Sequence, residues 1–281
     1  MRQRSLVGLE ARGFYKTAYT EWGDPSNPKV IICVHGLART GRDFDYLAHD
    51  LQSDYRIICP DVVGRGQSDW LENKEGYDLP LYVADMTRLL ARIDVEEVIW
   101  IGTSMGGIIG MSLAAFPRSP IKALILNDLG PFIPKAALKR IAEYMGKDPR
   151  FATIRDAELY LRMIHVNFGP QTDEQWTHLT THSFRRLEDG SYAFNYDPGI
   201  ALSYRSAQIK DVDLWPIWEA VRCPVLTIRG EKSDLLLSDT AGRMRQRPGT
   251  EVVELPGIGH APTLMDPSQI KLIRDWLKTN G

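Results

Sequence analysis

Gly102-Thr103-Ser104-Met105-Gly106 sets a hydroxyl between two glycines, after the apolar run Val98–Ile101 and before Met105–Phe116, which reads as a buried helix closed by Pro117. By composition about 0.1 such matches arise by chance in a chain of this length, so the setting carries the signal. A strand-to-helix turn this tight forces a strained backbone, and glycines two residues either side of the serine remove the Cβ atoms that would clash. The turn lifts the hydroxyl clear at a helix N-terminus, whose dipole favours negative charge. The chemistry this serves is nucleophilic attack, with Ser104 as the nucleophile.

Such a serine needs a base and two N–H donors for the oxyanion that develops on the attacked carbonyl. One donor is expected at Met105. The other is expected at Leu37 in His35-Gly36-Leu37, which follows the β-branched run Lys29–Val34. His35 itself is expected to brace that loop. Among six histidines, His260 lies in the glycine-rich stretch Leu255–Pro262, after the last apolar strand, where a loop can aim a base at a pocket. A carboxylate must then orient the imidazole. Asp234 is preferred, because it follows the strand Pro224–Ile228 through Arg229-Gly230-Glu231-Lys232-Ser233. Asp128, just after the strand Ile121–Leu126, is the alternative acid, and Glu231 a third.

The elements that must position these groups alternate in type. Strands are expected at 14–22, 29–34, 56–59, 97–101, 121–126, 224–228 and 251–255. Helices are expected at 43–51, 79–93, 105–116, 238–245 and 267–278. Continuous apolar strands between helices argue for a parallel sheet covered on both faces. Residues 130–213 break the alternation and are richer in Trp, Tyr, His, Arg and Pro. They are expected to form a cap inserted into a core of residues 1–129 and 214–281, with a hairpin at Asp189-Gly190.

With these residues in view, the chain resembles the α/β-hydrolase family over nearly its full length. The likeness rests on His35-Gly36, on Asp61 with Gly64-Arg65-Gly66-Gln67-Ser68, on Gly102 to Gly107, on Gly230 to Asp234 and on Gly259-His260. It implies an α/β fold with an eight-stranded, mostly parallel sheet flanked by helices, a helical cap after the sixth strand, and neither metal nor organic cofactor. The order Ser, Asp, His along the chain is the one this fold uses. Relatives with an aspartate nucleophile are excluded by Ser104. The expected reaction is hydrolysis of a small or medium carboxylic ester through an acyl-enzyme. Carbon–carbon bond hydrolase, thioesterase, lactonase and acyltransferase are alternatives on the same triad, and a ligand-binding receptor is one of another class.

Composition bounds the partners. The 281 residues are 43% apolar and 25% charged with net charge −2, so neither a nucleic-acid stripe nor a polybasic membrane anchor is indicated. Cys33, Cys59 and Cys223 each sit in an apolar run, which argues against disulfides or a zinc site. Residues 1–10 are polar and lack a secretory apolar segment, so a soluble cytoplasmic protein with a small-molecule substrate is expected. Nothing in the sequence sets an oligomeric state. Arg39, beyond the oxyanion loop, is a possible contact for a substrate carboxylate. Phe132, Met145, Phe151, Met163, Phe168, Trp176 and Phe184 are available for an apolar pocket, most of them as packing.

Overall fold

The computed structural model describes residues 1–202 and 209–281. Its main sheet has eight strands: β1 (Arg2–Glu10), β2 (Gly13–Trp22), β3 (Val30–Val34), β4 (Arg56–Pro60), β5 (Val98–Thr103), β6 (Ile121–Asn127), β11 (Val225–Gly230) and β12 (Thr250–Leu255). They lie in the order β1-β2-β4-β3-β5-β6-β11-β12. Only β2 runs against the others, pairing antiparallel with β1 and β4.

The unbroken apolar strands are explained by burial on both faces. Along β3, Val30, Ile32 and Val34 join one core cluster, whereas Ile31 and Cys33 join the other. The same split divides Trp100 from Ile99 and Ile101 on β5. The first face is covered by α2 (Leu79–Ile93) and α3 (Met105–Ala114), and the second by α1 (Asp45–Leu51) and the C-terminal helix Pro267–Asn280. Each fully buried aliphatic side chain contributes about 1.5–3 kcal/mol, so this double-faced core is the main source of stability.

Strand β1 was not expected. Its alternation is weak because it is an edge strand: Leu6 faces the core, while Val7 and Leu9 face solvent. Between β6 and β11 the chain leaves the sheet. Residues 130–213 carry α4 (Lys135–Tyr144), α5 (Ile154–Ile164) and α6 (Asp173–Ser183), and positions 203–208 of that stretch lie outside the described residues. Within it β7 (Phe132–Ile133) pairs with β10 (Val212–Asp213), and β8 (Phe184–Arg186) pairs with β9 (Tyr192–Phe194) around Asp189-Gly190, with Gly190 at φ 85, as a hairpin there requires. Phe151, Tyr160, Phe184, Phe194 and Tyr196 form a ring cluster at centroid distances of 4.6–6.1 Å, Phe194 stacked on Phe184 and Tyr196 and the other pairs tilted or edge-on. No helix among the described residues is long and apolar enough to cross a membrane.

Candidate active site

Ser104 sits at the turn between β5 and α3 with φ 49 and ψ −114. The turn is tight enough that a Cβ on Gly106 would lie 2.0 Å from the Val34 carbonyl oxygen. The Ser104 N–H donates to Asn127 O at 3.1 Å, tying the turn to the neighbouring strand β6. Its carbonyl receives the Gly107 N–H at 2.8 Å. Met105 opens the helix, so its N–H has no acceptor within the helix. Leu37, the other expected oxyanion donor, lines the same pocket as Ser104.

His260 lies between β12 and the C-terminal helix, 3.1 Å through Nε2 from Ser104 Oγ. Its Nδ1 lies 2.7 Å from Asp128 Oδ2. With the ring proton on Nδ1 donated to Asp128, Nε2 is left to accept from the serine hydroxyl. The loop is held by the Gly259 N–H to Asn167 O (2.7 Å) and by Asn127 Nδ2 donating to Pro262 O (2.8 Å).

The acid is where the sequence expectation is corrected. Asp234 does not reach His260. It is half exposed and forms a bidentate pair with Arg140, at 2.5 and 2.9 Å. Asp128 takes the place beside the imidazole. It is fully buried, and its carboxylate also receives the Gly230 N–H (3.0 Å) and the Ser233 hydroxyl (2.6 Å). The physical reason is position in the sheet. Asp128 directly follows β6, which lies between β5 and β11, and the backbone turns there at φ 52. After β11 the chain turns at Ser233, which spends its hydroxyl on Asp128, and carries Asp234 outward. Glu231 accepts the Gly257 N–H instead, at 2.6 Å.

Three further residues support the site. His35 is buried, donates through Nδ1 to Gly36 O (2.6 Å) and accepts the Val62 N–H at Nε2 (2.9 Å). Burial pushes its pKa down to about 4, so it braces the loop as a neutral ring. Asp61 receives the Gly41 and Gln67 N–H groups, and burial raises its pKa to about 6. Arg65, completely buried, donates to Leu37 O (2.9 Å), Val63 O (2.7 Å) and Tyr82 Oη (3.0 Å), and its guanidinium lies 3.8 Å from Met105 Sδ. One side chain thus touches both residues expected to supply oxyanion donors. The sequence marks Arg65 only as the middle of Gly64-Arg65-Gly66.

Arg39 lines the pocket but is held by Asp43 (2.6 and 2.8 Å) and Ser183 (2.7 Å). Met145 and Phe168 reach the pocket wall, Trp176 packs inside, and Met163 faces solvent. Among the described residues, Asp45, His178 and His182 bring potential metal-ligand atoms within 4.8 Å of one another. Arg42 already engages both oxygens of the Asp45 carboxylate, and a guanidinium there opposes a cation. The cluster is therefore a packing seam between α1 and α6, in which Asp45 pairs with Arg42 and His178 Nε2 lies 2.9 Å from the Arg42 carbonyl oxygen.

The whole constellation opens on a pocket walled by the Gly36–Arg39 loop, the turn at Ser104 and residues of α4, α5 and the stretch 165–168. In sequence, residues 29–267 match the alpha/beta hydrolase fold family model. The chain is 47% identical to a 3-hydroxybutyrate-oligomer hydrolase of Cupriavidus necator over 274 residues, 94% of this chain and 93% of that protein. A crystal structure of an alpha/beta hydrolase from Novosphingobium aromaticivorans superposes with a TM-score of 0.88 at 37% identity, covering 98% of each chain. A crystal structure from Rickettsia typhi does so with a TM-score of 0.94 at 36% identity over 100% of both chains.

Proposed function

The chain belongs to the alpha/beta hydrolase fold family and is a hydrolase, and we propose that it cleaves short oligoesters of hydroxy acids by serine catalysis. The observation that carries this reading is the continuous chain of hydrogen bonds Asp128–His260–Ser104, ending in a pocket. The Cupriavidus necator relative supports the ester class and points to hydroxybutyrate oligomers as the substrate.

In the proposed mechanism, His260 takes the hydroxyl proton as Ser104 Oγ attacks the ester carbonyl. Asp128 holds the imidazole with its Nδ1 proton inward and stabilises the imidazolium. The Met105 and Leu37 N–H groups receive the oxyanion, and Arg65 keeps both in register. His260 protonates the leaving alcohol as the acyl-enzyme forms. It then activates a water that releases the acid and restores Ser104. Residues 130–213 act as the cap, and residues 1–129 with 214–281 as the core. The three unpaired cysteines fit a reducing, cytoplasmic setting.

The test is hydrolysis of p-nitrophenyl butyrate and of the linear 3-hydroxybutyrate dimer by the wild type and by Ser104→Ala. The wild type should turn over both. The variant should lose at least about 10³-fold in kcat on each. Equal rates in the two proteins would remove Ser104 from the reaction, and an inert wild type would sink the ester reading.

A further inference from the structure

The permanently charged side chains in the wall of the pocket above Ser104 are arginines. Arg39 and Arg140 line it, and no aspartate or glutamate does so among the described residues. His165 lies in the same wall, stacked on Phe168 at 4.1 Å. Burial first, and then the nearby guanidiniums of Arg39 and Arg140, push its pKa well below the ordinary range. Each guanidinium is paired with an aspartate outside that lining, Arg39 with Asp43 and Arg140 with Asp234, so an anionic guest binds here only by replacing one of those carboxylates.

The two arginines, each bidentate to an aspartate and each with a further partner (Ser183 for Arg39, Tyr144 for Arg140), differ in how exposed those pairs are. Arg39 makes a bidentate bond to Asp43 and a third bond to Ser183, and its side chain is 11% exposed. Its fork is committed to holding the oxyanion loop to α6. Arg140 projects from α4, its side chain 39% exposed, and its partner Asp234 is a 47% exposed carboxylate of the core. An exposed pair of this kind contributes little to stability and exchanges readily. A guanidinium fork that already binds one carboxylate in bidentate fashion has the geometry to bind another. Asp234 therefore marks, from outside the pocket, the type of group that Arg140 accepts.

We propose that Arg140 is the subsite for the free terminal carboxylate of the substrate, with Asp234 holding the guanidinium in place when that subsite is vacant. This deepens the oligoester reading and rests on it. A linear oligoester of hydroxy acids carries one such carboxylate, and its capture would set which ester bond lies over Ser104. The enzyme would then favour acid-terminated chains over the same chains with the acid masked.

The experiment compares kcat/KM for the hydroxybutyrate dimer as free acid and as methyl ester, in the wild type, Arg140→Ala and Arg140→Lys. Thermal melts check folding, and p-nitrophenyl butyrate with Ser104→Ala serves as the control for the ester chemistry. The wild type should prefer the free acid by about tenfold or more. Arg140→Ala should erase that preference through KM rather than kcat. Arg140→Lys, which keeps the charge but loses the fork, should retain part of it. A wild type indifferent to the masking, or a preference that survives in Arg140→Ala, overturns the subsite while leaving serine catalysis standing. Turnover of p-nitrophenyl butyrate unaffected by Ser104→Ala would instead overturn the ester reading itself.

Discussion

Asp128 and His260 meet across 132 positions of chain, and the carboxylate that meets the ring is already saturated by Gly230, Ser233 and the ring itself. A buried carboxylate so held cannot drift, which is what an orienting acid requires. Asp128→Asn should therefore cost about 10³–10⁴-fold in kcat on p-nitrophenyl butyrate, because the amide leaves the imidazole in the wrong tautomer. Asp234→Ala should cost less than about tenfold on the same substrate, since Asp234 contacts Arg140 and not the ring. Steady-state kinetics of the two variants side by side decide between the acids, and the reverse ranking would restore Asp234. Arg65 belongs to the same scale. Arg65→Met would orphan the Leu37 and Val63 carbonyls inside the protein, so the variant should lose about 2–4 kcal/mol of stability by urea unfolding. Its kcat should fall as the oxyanion donors shift, whereas KM for a neutral ester should change little.

At the scale of elements, the placement of Ser104 depends on how closely β5, α3 and β3 approach. Gly106 lets the first turn of α3 lie against the end of β3, with Val34 O so near that any Cβ collides with backbone. Backbone cannot rotate away as a side chain can. Gly106→Ala should thus either fail to yield folded protein or move Ser104, with kcat on p-nitrophenyl butyrate down by more than about 10²-fold. A variant of wild-type melting temperature and activity would show that the approach is looser than described. The same three elements bring the Gly36–Leu37 loop to Ser104, and Trp100 ties β5 to α3 by donating from Nε1 to Gly106 O at 3.0 Å.

Over the whole molecule, buried titratable groups give stability a slope with pH. His35 is held neutral down to about pH 4, whereas an unfolded chain protonates it near 6.5. His182 behaves likewise, mainly through burial, its pKa lowered to about 4. For both, the unfolded state binds the extra proton between those limits, so stability is complete above about pH 6.5 and falls as the pH drops towards 4. Asp61 acts in the opposite sense. Its pKa is raised to about 6, so burial of its charge costs stability above that pH, and the cost is relieved on acidification. The wild type should unfold at a lower urea concentration at pH 5 than at pH 7, His35 alone accounting for about 2 kcal/mol. Asp61→Asn should steepen the fall by removing the offset, and a midpoint independent of pH would contradict the burial of these groups.

What was legible in the sequence is what local chemistry decides. A strand followed by Gly-x-Ser-x-Gly admits one kind of turn, continuous apolar strands imply a sheet covered on both faces, and the glycine-rich loop after the last strand marks His260. The weakly patterned edge strand β1 was not legible, because pairing with β2 rather than its own alternation holds it in place. The choice between Asp128 and Asp234 belongs to the tertiary structure. Both follow sheet strands, and only the lateral order of β5, β6 and β11, with the outward turn at Ser233, brings one to the imidazole and sends the other to Arg140. Chain order carries no information about which neighbours a sheet places side by side, and a hydrogen bond of 2.7 Å depends on that adjacency alone.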